Sequence, residues 1–198
     1  MTVLVTGFDA FGGCSANPSA LVVEAVAGPA GDTIVGSVLP TSYSRAGSAI
    51  ERLLLDHRPQ AALLLGLHPK ARQLVFERVA RNRDDSPAID NDGARHVGRV
   101  IVPGGPGQYA GTLPWPSLHD RARREQVDAV DSDDAGGFVC NHVYYRAAHC
   151  VAGCGLATRV GFVHLPDCPS RADLDRATRW VRGIVRLLAS AGPDAHPP

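Results

Sequence analysis

Three short apolar runs constrain this chain most: Val3-Leu4-Val5-Thr6-Gly7, Ala61-Ala62-Leu63-Leu64-Leu65-Gly66-Leu67 and Arg159-Val160-Gly161-Phe162-Val163-His164-Leu165-Pro166. The first two close on or near glycine, the third on proline, and none shows the strict alternation of a half-solvated strand. Such runs read as strands buried on both faces, which occur in largely parallel sheets covered by helices. Between them lie patterns of helical period. Asn17-Pro18-Ser19 opens one helix, running to about Ala27, with Asn17 as N-cap and Pro18 at the first helical position. Residues 44–57 form another, with Ile50, Leu53 and Leu54 inward. Leu118–Gln126 and 171–190 are further helices. Additional strands are expected over Thr33–Leu39, Leu74–Ala80 and Val127–Val130. Strands alternating with helices predict an α/β fold, a three-layer α/β/α sandwich around a largely parallel twisted sheet. A length of 198 residues fits a single domain, residues 1–198, with 192–198 as a disordered tail. Residues 81–112, rich in Asp, Asn, Gly and Pro, form a long irregular excursion of the kind that is functional or disordered.

Composition excludes several classes. Formal net charge is zero, so nothing argues for nucleic acid or an anionic membrane surface. No apolar run approaches the ~18 residues that span a bilayer. The first residues show no basic region and no cleavage site of a secretory signal, so a cytoplasmic location is expected. Five cysteines, an odd number, argue for reduced thiols over a disulfide framework. Cys150 and Cys154 flank no second ligand pair, so no metal site is expected. Gly7, Gly12 and Gly13 fit neither a dinucleotide fingerprint nor a phosphate loop, and no cofactor is expected.

The stretch Ala135-Gly136-Gly137-Phe138-Val139-Cys140-Asn141-His142 carries the chemistry. After it, Val143, Tyr144, Ala147, Ala148 and Val151 mark one face of a helix. Cys140 therefore falls at a helix N-terminus, where unpaired N–H groups and the helix dipole favour an anion. A thiolate is the nucleophilic form of cysteine, and the same N–H groups suit an oxyanion. The competing reading is a buried cysteine acting as a small apolar residue. A nucleophile needs a base and the base an orienting group. Among eight histidines, His164 ends an apolar strand, on the rim where open α/β sheets bind ligands. It reads equally as a core histidine. His142, two residues along the helix from Cys140, points elsewhere. Glu77, inside an apolar run, is the carboxylate candidate, with a salt bridge to Arg78 or another arginine as its alternative. Asp84, Asp85 and Asp90, in the polar excursion, read as solvated.

Several windows together resemble the pyroglutamyl-peptidase I (pyrrolidone-carboxylate peptidase) family. They are Gly7-Phe8-Asp9-Ala10-Phe11-Gly12-Gly13 with Asn17-Pro18-Ser19, Glu77-Arg78-Val79-Ala80-Arg81-Asn82, the Cys140 stretch, Gly161–Pro166, and Gly104-Gly105-Pro106 with Tyr109, Leu113 and Pro114. The resemblance spans residues 1 to about 168 in family order. It implies a metal- and cofactor-free cysteine peptidase that removes N-terminal pyroglutamate from peptides and assembles as a homo-oligomer, a dimer or tetramer. The catalytic triad it implies is Glu77, Cys140 and His164. The lactam pocket falls on Phe8 and Phe11, with Asn17, Gln73, Phe138 and Val139 as further substrate-binding candidates. The chain departs from the family at Ala10 (a proline elsewhere, so a looser loop), at His68–Gln73, at Phe76 before the glutamate, and at Pro87–Asn91. It also departs at Gly137, a threonine elsewhere, where glycine predicts flexibility. Two other readings stand beside this one: a cysteine amidase or esterase for another small acyl group, and a non-catalytic small-molecule binder on the same fold.

Overall fold

The computed structural model describes residues 2–27, 34–168 and 170–190. In chain order the elements are β1 (Val3–Phe8), α1 (Pro18–Val26), β2 (Ile34–Leu39), α2 (Tyr43–His57), β3 (Ala61–Leu67), β4 (Leu74–Glu77), β5 (Val79–Arg81), β6 (Gln108–Ala110), α3 (Trp115–Arg124), β7 (Ala129–Ser132), α4 (Val139–Gly153), β8 (Arg159–Leu165) and α5 (Arg171–Ser190). The main sheet has six strands in the order β2-β1-β3-β8-β4-β7. Every neighbouring pair is parallel except β4 with β8. β5 and β6 form a separate antiparallel pair.

The period-two rule of strands sorts the side chains into two layers. Val3 and Val5, Leu63 and Leu65, Phe76, and Val163 and Leu165 point to one face, where they pack with residues of α1, α3 and α5, including Val22, Leu118, Trp180 and Ile184. Leu4 and Phe8, Ala62 and Leu64, and Val160 and Phe162 point to the other, against α2 and α4 through Ile50, Leu54, Val143 and Tyr144. This is the α/β sandwich expected from the sequence. Asn17 caps α1, accepting from Ser19 N–H at 3.0 Å, with Pro18 opening the helix. Among the described residues, no helix is long and apolar enough to cross a membrane.

Several boundaries differ from expectation for physical reasons. The run Leu74–Ala80 is two strands, because Arg78 N–H makes the last bond to β7, at Ser132 O (2.7 Å), while Arg78 O already accepts from Gly111 N–H (2.7 Å), next to β6. α3 begins at Trp115, since Pro116 is compatible with a first helical turn. β7 lies at 129–132, two residues beyond its predicted place. Asp84 and Asp90, expected in solvent, are 1% and 5% exposed, because the excursion folds back onto the domain. Thr33 and residues 192–198 lie outside the described residues.

Candidate functional site

The same parity places the reactive groups. His164 follows Val160 and Phe162, so it faces α4. Glu77 is one residue from Phe76, which faces the opposite layer, so Glu77 also turns toward α4. In the antiparallel β4–β8 register Glu77 opposes Phe162 and Val75 opposes His164. Glu77 and His164 are thus diagonal neighbours on one face. Glu77 Oε1 lies 2.7 Å from His164 Nδ1, with the residues 1% and 4% exposed. Arg78 turns away instead to pair with Asp131 at 3.2 Å and cover the Trp115 ring.

Cys140 is the second residue of α4, whose N-cap is Phe138 and whose first turn has no side-chain cap. Its thiol reaches His164 across Gly66, which pairs in register with His164. A Cβ on Gly66 would come 2.9 Å from Cys140 Sγ and 2.8 Å from Phe162 Cζ, so only glycine leaves the thiol its place. Burial opposes a charge on His164. Hydrogen bonds to Cys140 and Glu77, and the negative charge on each, outweigh it and raise the imidazole from 6.5 to about 9.

Phe8, Phe11, Asn17, Phe138 and Val139 line one narrow cleft with Cys140. Thr41 and Leu67, which the sequence reading passed over, complete it. Both sit at or just past the carboxyl ends of strands, as Phe8 and His164 do, and the crevice rule for open α/β sheets could have singled them out. Gln73 is not in the cleft. It lines a different hollow with Leu74, Cys168 and Trp180. The first loop is held by polar bonds: Asn17 Nδ2 donates to Asp9 O (3.1 Å), Thr41 N–H to Asp9 Oδ1 (2.7 Å), and Asn91 Nδ2 to Ala10 O (2.8 Å). Asn91 thus ties down the loop that Ala10 was expected to loosen. Gly137 is a point of close packing more than of flexibility, since a Cβ there would lie 2.2 Å from Asp85 O. Phe11 and Phe138 pack against each other at the cleft, with ring centroids 5.8 Å apart and planes tilted by 39°.

A cysteine at an uncapped helix N-terminus, an imidazole beside it and a buried carboxylate behind the imidazole form the arrangement that thiol-based nucleophilic chemistry requires. The pyroglutamyl peptidase family profile matches residues 1–182, and the chain belongs to that family. Among curated relatives, the chain is similar to pyrrolidone-carboxylate peptidase 1 of Ralstonia nicotianae, 40% identical over 173 residues (86% of this chain and 80% of that protein). It is also similar to the pyrrolidone-carboxylate peptidase of Pyrococcus furiosus, 35% identical over 86% of this chain and 83% of the relative. Among solved structures, pyroglutamyl peptidase I of Bacillus amyloliquefaciens superposes with a TM-score of 0.89 at 30% identity, covering 100% of this chain and 98% of the other.

Proposed function

We propose that this chain is a cysteine peptidase that removes N-terminal pyroglutamate from peptides, with Cys140 as nucleophile, His164 as base and acid, and Glu77 orienting the imidazole. One observation carries the reading: the His164 ring stands between the Glu77 carboxylate and the Cys140 thiol, beside a cleft walled by Phe8, Phe11 and Phe138. A neutral five-membered lactam suits an aromatic-walled slot with few charged groups. The chain's own groups divide the work. Glu77 accepts Nδ1–H and fixes the tautomer, and the imidazolium favours the thiolate beside it. Sγ forms a bond to the acyl carbon, and the carbonyl oxygen takes the negative charge toward the first-turn N–H groups of α4. As the C–N bond breaks, His164 gives its proton to the departing amine, leaving a thioester. Water, deprotonated by His164, then attacks the thioester carbon and releases pyroglutamate and the free thiol.

The reading also takes the enzyme to be cytoplasmic, with its five free cysteines reduced, and to assemble with further copies of itself, which sedimentation would measure. The activity test is hydrolysis of a pyroglutamyl amide with a fluorescent leaving group, by wild type and by Cys140→Ser. Release by wild type and its loss in the variant are expected. Release of another acyl group in preference would replace the substrate, and release that survives Cys140→Ser would remove Cys140 from its role.

A further inference from the structure

The excursion between β5 and β6 contributes little to either apolar layer. Ile101 is buried, but Ile89, Val97 and Val100 are 54%, 67% and 54% exposed. Polar groups hold it instead, and the most buried is Asp84. Its Oδ2 lies 2.8 Å from His96 Nδ1 and 2.9 Å from His142 Nδ1. An ionised carboxylate only accepts, so both imidazoles present Nδ1–H to it. Arg99 Nη1 sits 3.0 Å from His96 Nε2, and a guanidinium only donates. His96 Nε2 is therefore a lone pair, and His96 is the neutral Nδ1–H tautomer. Asp84 and Arg99 also exchange both backbone hydrogen bonds, at 2.7 and 2.8 Å.

These rings reach the cleft. His96 stacks on Tyr43, centroids 4.0 Å apart at 18°. Tyr43 meets His142 and Phe138 edge-on at 5.5 and 5.6 Å. Its hydroxyl donates to Gly137 O at 3.3 Å, the same carbonyl that receives Asp85 N–H at 2.9 Å. Phe138 is the cleft wall immediately before Val139 and Cys140.

We infer that Asp84 is a positioning residue for the cleft: through His96, His142 and Tyr43 it fixes the Gly137–Phe138 wall and so sets how tightly the acyl group is held. This rests on the cleft being the acyl pocket, as proposed above. Burying a carboxylate is unfavourable unless it is well bonded, and apolar side chains could tether a loop without that cost. The carboxylate adds direction. With both Nδ1–H groups aimed at one oxygen, neither ring can rotate, and the plane of His96 sets the plane of Tyr43, against which Phe138 rests. Among the described residues Asp84 makes no hydrogen bond to Cys140 or His164, so its effect belongs in substrate affinity and not in the reactivity of the thiol.

The test compares His96→Ala, His96→Asn and Asp84→Asn with wild type, reading kcat and KM on the fluorogenic pyroglutamyl amide and the rate of Cys140 alkylation by iodoacetamide. The carboxamide that His96→Asn introduces offers an N–H where Nδ1–H stood. His96→Ala is expected to raise KM about tenfold, the scale of one lost hydrogen bond, with kcat and alkylation within about twofold of wild type. His96→Asn should recover most of the affinity, and Asp84→Asn should behave as His96→Ala; should Asp84→Asn fail to fold, the His96 pair decides alone. An unchanged KM in His96→Ala, or no recovery in His96→Asn, overturns the inference. So does alkylation that falls in step with kcat, which would move the effect onto the thiol. Absence of hydrolysis by wild type overturns the functional reading itself, a different result from hydrolysis with an insensitive KM.

Discussion

Glu77 commits one carboxylate oxygen to His164 and buries the other, Oε2, with no hydrogen-bond partner among the described residues. Hydrogen bonds to Cys140 and Glu77 and the charges on them outweigh the burial of His164 and raise it to about 9, which gives an imidazolium at neutral pH. The linkage has a definite sign. The folded value lies above the ordinary 6.5 of an unfolded chain, so folding is favoured by protonation. This contribution is complete below about 6.5 and disappears as pH rises through about 9. Denaturant midpoints measured from pH 6 to 10 should therefore show His164 as a loss of stability across that upper window, a loss that His164→Gln abolishes. Cys140→Ala removes one of the two hydrogen bonds and one of the two charges that raise the ring. Its His164 ring protons should titrate at lower pH by NMR, and an unmoved titration would show that Glu77 alone sets the value.

At the scale of elements, the site is made where β3, β8 and β4 meet the start of α4. Gly66 shows the tolerance of that junction, with Cys140 Sγ and Phe162 on either side of its missing Cβ. Gly66→Ala should lower kcat more than tenfold through a displaced thiol, at a stability cost of about 1–3 kcal/mol for overpacking; normal kcat in a folded variant would show that the thiol has room to spare. The strands and the cysteine turn were legible in the sequence because apolar runs, capping residues and period two are local signals. Counting alone does not give the common face of Glu77 and His164, because Phe76 and Phe162 are both buried but lie in opposite layers. The antiparallel direction of β4 against β8, which turns a common face into a 2.7 Å contact, leaves no local mark. The burial of Asp84 was equally hidden, since its partner His142 is 58 residues away. Gln73 was placed in the pocket by resemblance alone, and it stands before β4 on the side of Pro166 and Cys168. Gly137 packs against the backbone of Asp85, which stands just before the altered Pro87–Asn91 segment, so the close approach that needs glycine is outside that departure.

Across the whole molecule the sheet separates cohesion from chemistry. The face under α1, α3 and α5 is an apolar layer in which Phe76 stacks on Trp180, centroids 5.8 Å apart, and lies 5.9 Å from Trp115. The other face carries an apolar layer too, but Glu77, His164, His142 and Asp84 are set into it. Glu77 is one residue from Phe76, so the two layers meet at a single strand while their side chains point apart. Trp180→Ala opens a cavity beneath β4 and should cost about 3–5 kcal/mol. The strand that carries Glu77 is held at both edges by the β8 and β7 ladders, which the variant leaves intact. Urea unfolding should therefore shift to markedly lower midpoints, while kcat/KM per folded molecule and the alkylation rate of Cys140 stay within about twofold. A fall in kcat/KM that matched the loss of stability, measured well below the unfolding transition, would show that packing on one face sets the reactive geometry on the other. The parity of β4 argues against that coupling, because cavity relaxation moves side chains of the α3–α5 layer before it moves a strand bonded on both edges.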